Sequence, residues 1–93
     1  MHIVEFLQAN GYKASQVRHG SAWYHSPFRQ ENQPSFKVHI NRNVWFDFGT
    51  GEGGNIVSFF MKLYQVDRAR AEVYYMVHYN RFFALGFKND HGG

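Results

Sequence analysis

Residues 26–55 read SPFRQENQPSFKVHINRNVWFDFGTGEGGN, and the fold turns on how this stretch pairs with itself. Two runs inside it alternate with a period of two, SFKVHI at 35–40 and VWFDF at 44–48, and the polar tripeptide Asn41, Arg42, Asn43 lies between them. That is the signature of a β-hairpin. With the tripeptide as the loop, Ile40 pairs with Val44, Val38 with Phe46 and Phe36 with Phe48, which places all six apolar side chains on one face. A two-residue loop would shift the register by one and mix the faces. The other face then carries Lys37, His39, Trp45 and Asp47, with His39 opposite Trp45 and Lys37 opposite Asp47. A tryptophan among charges on an open face marks a candidate binding surface.

Outward from the hairpin, residues 21–28, SAWYHSPF, read as a further strand stopped by Pro27, giving an antiparallel sheet of at least three strands. Residues 12–20 are polar and basic and allow a short strand at most. Ahead of them Ile3, Val4, Phe6 and Leu7 fall at helical spacing, and Gly11 suits a left-handed cap. Asn55 is a good N-cap for a helix whose apolar stripe is Ile56, Val57, Phe59, Phe60, Leu63 and Tyr64, expected to pack on the inner face of the sheet. Asp67 caps another helix, in which Ala69, Val73, Met76, Val77 and Phe83 recur at three to four residues and Gly86 is the stop. Residues 1–88 are therefore expected to form one module, and 89–93 a flexible tail or the start of a linker.

The residues that carry this pattern resemble a known family. SPFR at 26–29, Glu31, PSF at 34–36, Val38 and then DFGTGEGGN opening an apolar helix look like the zinc-binding domain at the N-terminus of bacterial DNA primases. That family reads Cys-Pro-Phe-His, a Glu, Pro-Ser-Phe, then Cys-Phe-Gly-Cys-Gly with a Gly-Gly and a helix. The framework positions that match are Pro27, Phe28, Glu31, Pro34, Ser35, Phe36, Val38, Phe48, Gly49, Gly51, Gly54 and Asn55. All four ligand positions depart: Ser26, Arg29, Asp47 and Thr50 stand where the family has Cys, His, Cys and Cys, with both two-residue gaps kept. Zinc takes thiolate, imidazole or carboxylate ligands and a guanidinium cannot coordinate a cation, so only Asp47 remains competent. The resemblance thus implies an α+β fold, a zinc-ribbon-like antiparallel sheet flanked by helices, without zinc. At the former ligand positions it leads us to expect an Arg29–Asp47 ion pair ringed by hydroxyl hydrogen bonds, with Lys37 competing for Asp47.

Composition bears on what could replace the metal. The chain has 93 residues and no cysteine, which excludes disulfides and thiolate metal sites and fits a reducing, cytoplasmic setting. Small domains often recruit a staple. A structural zinc contributes roughly 10–16 kcal/mol in finger peptides and a buried aromatic about 1.5–3 kcal/mol, so about five or six extra buried rings would offset the loss. At 19% aromatic residues, the chain has them, and Phe28, Phe36, Phe46 and Phe48 are expected in the core. No segment approaches membrane-spanning length, and no secretory cleavage pattern follows the first apolar turns, so no membrane partner is expected. Net charge is +3, unevenly spread: residues 10–46 carry Lys13, Arg18, Arg29, Lys37 and Arg42 against Glu31 alone. A basic strand-rich half suits a polyanion, and equally an ordinary solvated face.

Other signals are weaker. Residues 49–54, GTGEGG, satisfy the spacing of a dinucleotide loop, but no parallel strand follows and Glu52 would repel a phosphate, so a tight turn is the plainer reading. The amides ahead of Ile56 still offer a place for a phosphate. Of the six histidines, His25 and His39 with Asp47 are the one combination able to supply three metal ligands, and their spacing has no recognised signature. No carboxylate cluster or nucleophile triad supports catalysis, and neither an enzyme activity nor a cofactor is expected. The resemblance implies a non-catalytic module that binds single-stranded template DNA and presents it to a primase polymerase domain. Lys13, Arg18, Lys37 and Arg42 are the candidate phosphate contacts, and Trp45 either stacks on an unpaired base or packs beneath a loop. The alternative is a structural module docking on a polymerase or helicase domain, and a nucleotide site at 49–54 is a third possibility.

Overall fold

The computed structural model describes residues 1–92, with side chains for residues 1–81. A short helix α1 (Ile3–Ala9) leads into five strands, β1 (Gln16–Arg18), β2 (Ser21–Tyr24), β3 (Phe36–His39), β4 (Val44–Asp47) and β5 (Glu52–Gly54), followed by helices α2 (Ile56–Tyr64) and α3 (Arg68–Gly92). The strands form one antiparallel meander in sequence order. This is the α+β sheet-and-helix architecture expected, with β5 added where the glycine-rich turn was read.

The central hairpin departs from the expected register. Phe36 pairs with Asp47, Lys37 with Phe46, Val38 with Trp45 and His39 with Val44. The turn takes four residues rather than three: Ile40 has left the ladder, Asn43 adopts a left-handed φ of 56°, and its amide donates to the His39 carbonyl at 2.9 Å. Asn tolerates that conformation better than most residues. Its side chain also ties the turn to the N-terminus, Oδ1 accepting from the Ile3 amide at 2.8 Å and Nδ2 donating to the Met1 carbonyl at 3.3 Å. One residue of slip exchanges the faces of β4 relative to β3. Trp45 and Asp47 therefore point inward and are buried, while Phe46 and Phe48 point outward at 39% and 55% exposure, the reverse of their expected places.

The core lies between the inner sheet face and the helices. Ala22, Tyr24, Phe36, Val38 and Trp45 from the sheet meet Ile3, Phe6 and Leu7 of α1, Ile56, Phe59 and Phe60 of α2 and Ala71 of α3. Aromatic rings dominate it: Phe36 stacks on Trp45 at 5.7 Å, Phe28 packs edge-on against both at 5.5 and 5.4 Å, and Phe59 bridges Phe28, Phe36, Phe6 and Phe60. The N-caps of α2 and α3 are those read from the sequence. Asn55 Oδ1 accepts from the Ser58 amide and Asp67 Oδ1 from the Arg70 amide, each at 2.9 Å. α3 differs on two counts. Its backbone stays helical past Gly86 to Gly92, since a glycine inside a helix costs only about 1 kcal/mol. It also packs through Ala71, Tyr75 and His78, leaving the expected stripe residues Val73, Met76 and Val77 more than half exposed. Phe83 lies outside the described side chains.

Candidate nucleic-acid interface

Two regions built by this fold bear on function: the cluster at the former ligand positions and the open face of the sheet. In the first, Pro27 ends the extension of β2 and turns the chain so that Arg29 projects toward the end of β4. Its guanidinium grips Asp47 with both terminal nitrogens, Nη1 to Oδ2 at 2.6 Å and Nη2 to Oδ1 at 2.8 Å, and Nη2 also reaches Glu31 Oε1 at 3.2 Å. Glu31 in turn accepts from the Ser35 hydroxyl. Asp47 Oδ1 further accepts from the Gly49 amide at 2.9 Å, and the Gly51 amide bonds the Asp47 carbonyl at 2.8 Å. The Arg29 hydrogen bonds, aided by Gly49, hold the Asp47 carboxyl below its ordinary pKa against the opposing effect of burial. The Ser35 hydroxyl and then Arg29 do the same for Glu31, and the Asp47 bond chiefly raises Arg29.

The ion pair anticipated from the charges of Arg29 and Asp47 is thus present, but its surroundings differ. Ser26 Oγ accepts from the Phe28 amide at 3.1 Å, and Thr50 Oγ1 from the Glu52 amide at 3.3 Å, so each hydroxyl serves its own turn. Lys37 does not compete for Asp47, because it lies on the opposite face of the sheet. Zinc does not fit this donor set. A guanidinium occupies the approach to the Asp47 carboxylate and also engages Glu31, the two hydroxyls are engaged elsewhere, and no group of three ligands occurs among the described residues. The combination of His25, His39 and Asp47 fails for the same geometric reason as Lys37: His39 and Asp47 are on opposite faces. His25 Nδ1 instead bonds the Glu31 carbonyl at 2.8 Å.

On the open face, Gln16, Trp23, Lys37, Phe46 and Gly53 form one row across all five strands, each paired directly with the next. Phe48 extends it. Trp23 stacks on Phe48 at 5.3 Å and 19°, Phe46 meets Phe48 edge-on at 4.6 Å, and the Lys37 ammonium sits over the Trp23 ring at 5.5 Å. Lys37 borders two shallow grooves. One, of about 390 Å³, is lined chiefly by His39, Val44, Phe46 and Phe48, and the other, of about 370 Å³, by Gln16, Arg18, His19, Ser21 and Trp23.

Of the expected DNA contacts, then, the structure brings Arg18 and Lys37 together around Trp23. Lys13 and Arg42 are exposed in the connections before β1 and between β3 and β4, outside that row. Trp45 is corrected: it is 4% exposed, and its indole Nε1 donates to the Asn55 carbonyl at 2.9 Å inside the core, so packing rather than base stacking is its role. The aromatics of the open face missed by the sequence reading are the half-buried Trp23 and the exposed Phe46 and Phe48. For Phe46 and Phe48 the signal was that both phases of VWFDF are largely apolar. Residues 49–54 do not make a dinucleotide loop, since β5 runs antiparallel to β4 there and the first turn of α2 is capped by Asn55 itself.

Comparison with known proteins agrees with this architecture. The family model of the CHC2 zinc finger, the DnaG zinc ribbon, matches residues 2–82. The DNA primase of Treponema pallidum is 37% identical over 71 residues, 75% of this chain and 12% of that protein. The DNA primase of Buchnera aphidicola is 43% identical over 42 residues, 45% of this chain and 7% of that protein. The crystal structure of the Aquifex aeolicus primase zinc-binding and RNA polymerase domains superposes with a TM-score of 0.70 at 21% identity, over 86% of this chain and 19% of that one. The chain therefore spans only a small part of the length of these relatives. It belongs to the CHC2 zinc-finger family, the zinc ribbon of DnaG-type DNA primases, and carries none of that family's cysteine or histidine ligands.

Proposed function

We propose that the domain binds single-stranded template DNA across its open sheet face, as a non-catalytic module that presents the strand to a primase-type polymerase domain. The observation that carries this reading is the row Trp23, Lys37, Phe46 with Phe48 beside it: the exposed Phe46 and Phe48 and the half-buried Trp23 for unpaired bases, next to cations for phosphates. Stacking of bases on such rings is tolerant of sequence and requires single strands, because the bases of a duplex have no free faces. Arg18 and Lys37 lie close enough to line one groove, so neighbouring phosphates would meet both. Trp23 supplies its own probe. A short single strand should quench its fluorescence saturably, a duplex should not, and Trp23→Phe should abolish the change while leaving the buried Trp45 as an internal reference. Quenching that survives in Trp23→Phe would remove the face from consideration.

A second reading, docking on a polymerase or helicase domain, is favoured by one observation of its own. Val73, Met76 and Val77 form an exposed apolar strip on α3, at 55%, 61% and 52% exposure. Such a strip serves a protein partner better than it serves DNA. The two readings involve different surfaces and separate cleanly: substitutions on α3 should spare the Trp23 quenching.

A further inference from the structure

In this family two chain segments are joined by a metal, one holding the ligand positions 26 and 29 and the other holding 47 and 50. In this chain the same segments are joined by a side chain. Arg29 reaches from the β2–β3 connection to the end of β4 and makes two parallel bonds to Asp47, whose side chain is fully buried. Nη2 also bonds Glu31, which fastens Ser35 further along the same connection. Phe48, next to Asp47, is locked to that connection from the backbone side, its amide donating to the Ser35 carbonyl at 2.9 Å.

We propose that Arg29 is a built-in replacement for the metal, a permanent and non-exchangeable cation that fixes the β2–β3 connection to the end of β4 and keeps the sheet in its ribbon shape. Chemistry supports the substitution. A guanidinium stays charged at any physiological pH and its planar fork matches a carboxylate bidentately, which an ammonium cannot do. Position 47 supplies the complementary anion at the place of a thiolate.

Packing supports it independently. A Cβ on Gly49 would lie 2.0 Å from Arg29 Nη2, so the guanidinium rests on the glycine of the turn that follows Asp47. The cluster also orphans no group: among the described residues no buried side-chain nitrogen or oxygen lacks a hydrogen-bond partner. The hydroxyls of Ser26 and Thr50 have turned to local amides, as ligands released from a common centre would.

The test uses the purified chain and reads melting temperature and metal content, neither of which depends on DNA binding. The parent should carry no stoichiometric zinc and melt at the same temperature with or without EDTA. Arg29→Lys, which keeps the charge and loses the fork, and Arg29→Met should both melt lower or fail to fold. The combined variant S26C/R29H/D47C/T50C should recover one zinc per chain and melt in a chelator-dependent manner, because both two-residue gaps are kept and the contact of Arg29 with Asp47 joins one position of each pair. The proposal is overturned if EDTA destabilises the parent, if Arg29→Met melts like the parent, or if the four-residue variant folds without taking up zinc.

Discussion

The indole of Trp45 donates to the Asn55 carbonyl at 2.9 Å, and Asn55 is at once the N-cap of α2. One residue of β4 is thereby bonded to the residue that starts the helix covering it. Gly54 completes the joint: a Cβ there would lie 2.0 Å from Ser58 Oγ, which itself donates to the Asn55 carbonyl. Trp45→Ala should therefore act on stability, costing about 3–5 kcal/mol as a truncated core aromatic. Trp45→Phe should cost less, about 1–2 kcal/mol, because the Asn55 carbonyl keeps the Ser58 hydroxyl and the Phe59 amide as donors. Denaturant melts of both variants check this. A folded, fully stable Trp45→Ala would contradict the inward register.

The Asp47 carboxylate should be nearly as consequential. Asp47→Asn keeps the shape but loses the charge that the two guanidinium nitrogens address, and about 1.5–3 kcal/mol of stability should go with it. Urea titration at neutral pH reads the difference directly.

Acid should destabilise the fold for the same reason. Asp47 and Glu31 are held below their ordinary pKa by Arg29, Gly49 and Ser35, so the unfolded chain takes up protons first as the pH falls. Their contribution is complete above the ordinary carboxylate range, about pH 4, and is lost as the pH drops through their lowered values. A shallower decline should start earlier, below about pH 6.5, because burial beside Phe60 and the like positive charge of Arg81 lower the His78 imidazole. That ring meets the Tyr64 hydroxyl at 2.8 Å and helps hold α3 on α2. Melting temperature followed from pH 8 to pH 2 should show both phases, and His78→Phe should remove the upper one alone.

Gly49 and Gly51 should respond differently to alanine. Gly51 has a φ of 77° and open space around its Cα, so alanine there meets backbone strain alone, about 1 kcal/mol. Gly49→Ala instead displaces the Arg29 guanidinium. Its cost should consequently shrink in an Arg29→Met background, while that of Gly51→Ala should stay the same in both. A double-mutant cycle measures the coupling.

Much of this was legible in the sequence. An antiparallel sheet of at least three strands and the N-caps Asn55 and Asp67 followed from local patterns, the fold family from the resemblance, and the Arg29–Asp47 pair from the opposite charges at the ligand positions that the resemblance marks. The register of the hairpin did not, because both phases of VWFDF are apolar apart from Asp47. Reading that aspartate as solvent-facing put Trp45 outside, whereas its partner Arg29, eighteen residues earlier, allows it to be buried. The faces of Phe46, Phe48 and Trp45, and with them the aromatic part of the proposed binding surface, exchanged as a result. Strand β5 was hidden for another reason: Glu52, Gly53 and Gly54 have little strand propensity, and the pairing is imposed by β4.

The central claim is that the open sheet face binds single-stranded DNA, and the direct test is affinity for a short single strand measured against salt concentration. Each phosphate contact should contribute about 0.7 to the slope of log affinity on log salt. Lys37→Ala and Arg18→Ala should each weaken binding and flatten the slope by about that amount, while Phe48→Ala should cost about 1–3 kcal/mol with the slope unchanged. Met76→Ala on α3 should leave both quantities as they are. If Lys37→Ala, Arg18→Ala and Phe48→Ala all bind like the parent at low and high salt, the face does not hold the strand and the account is wrong.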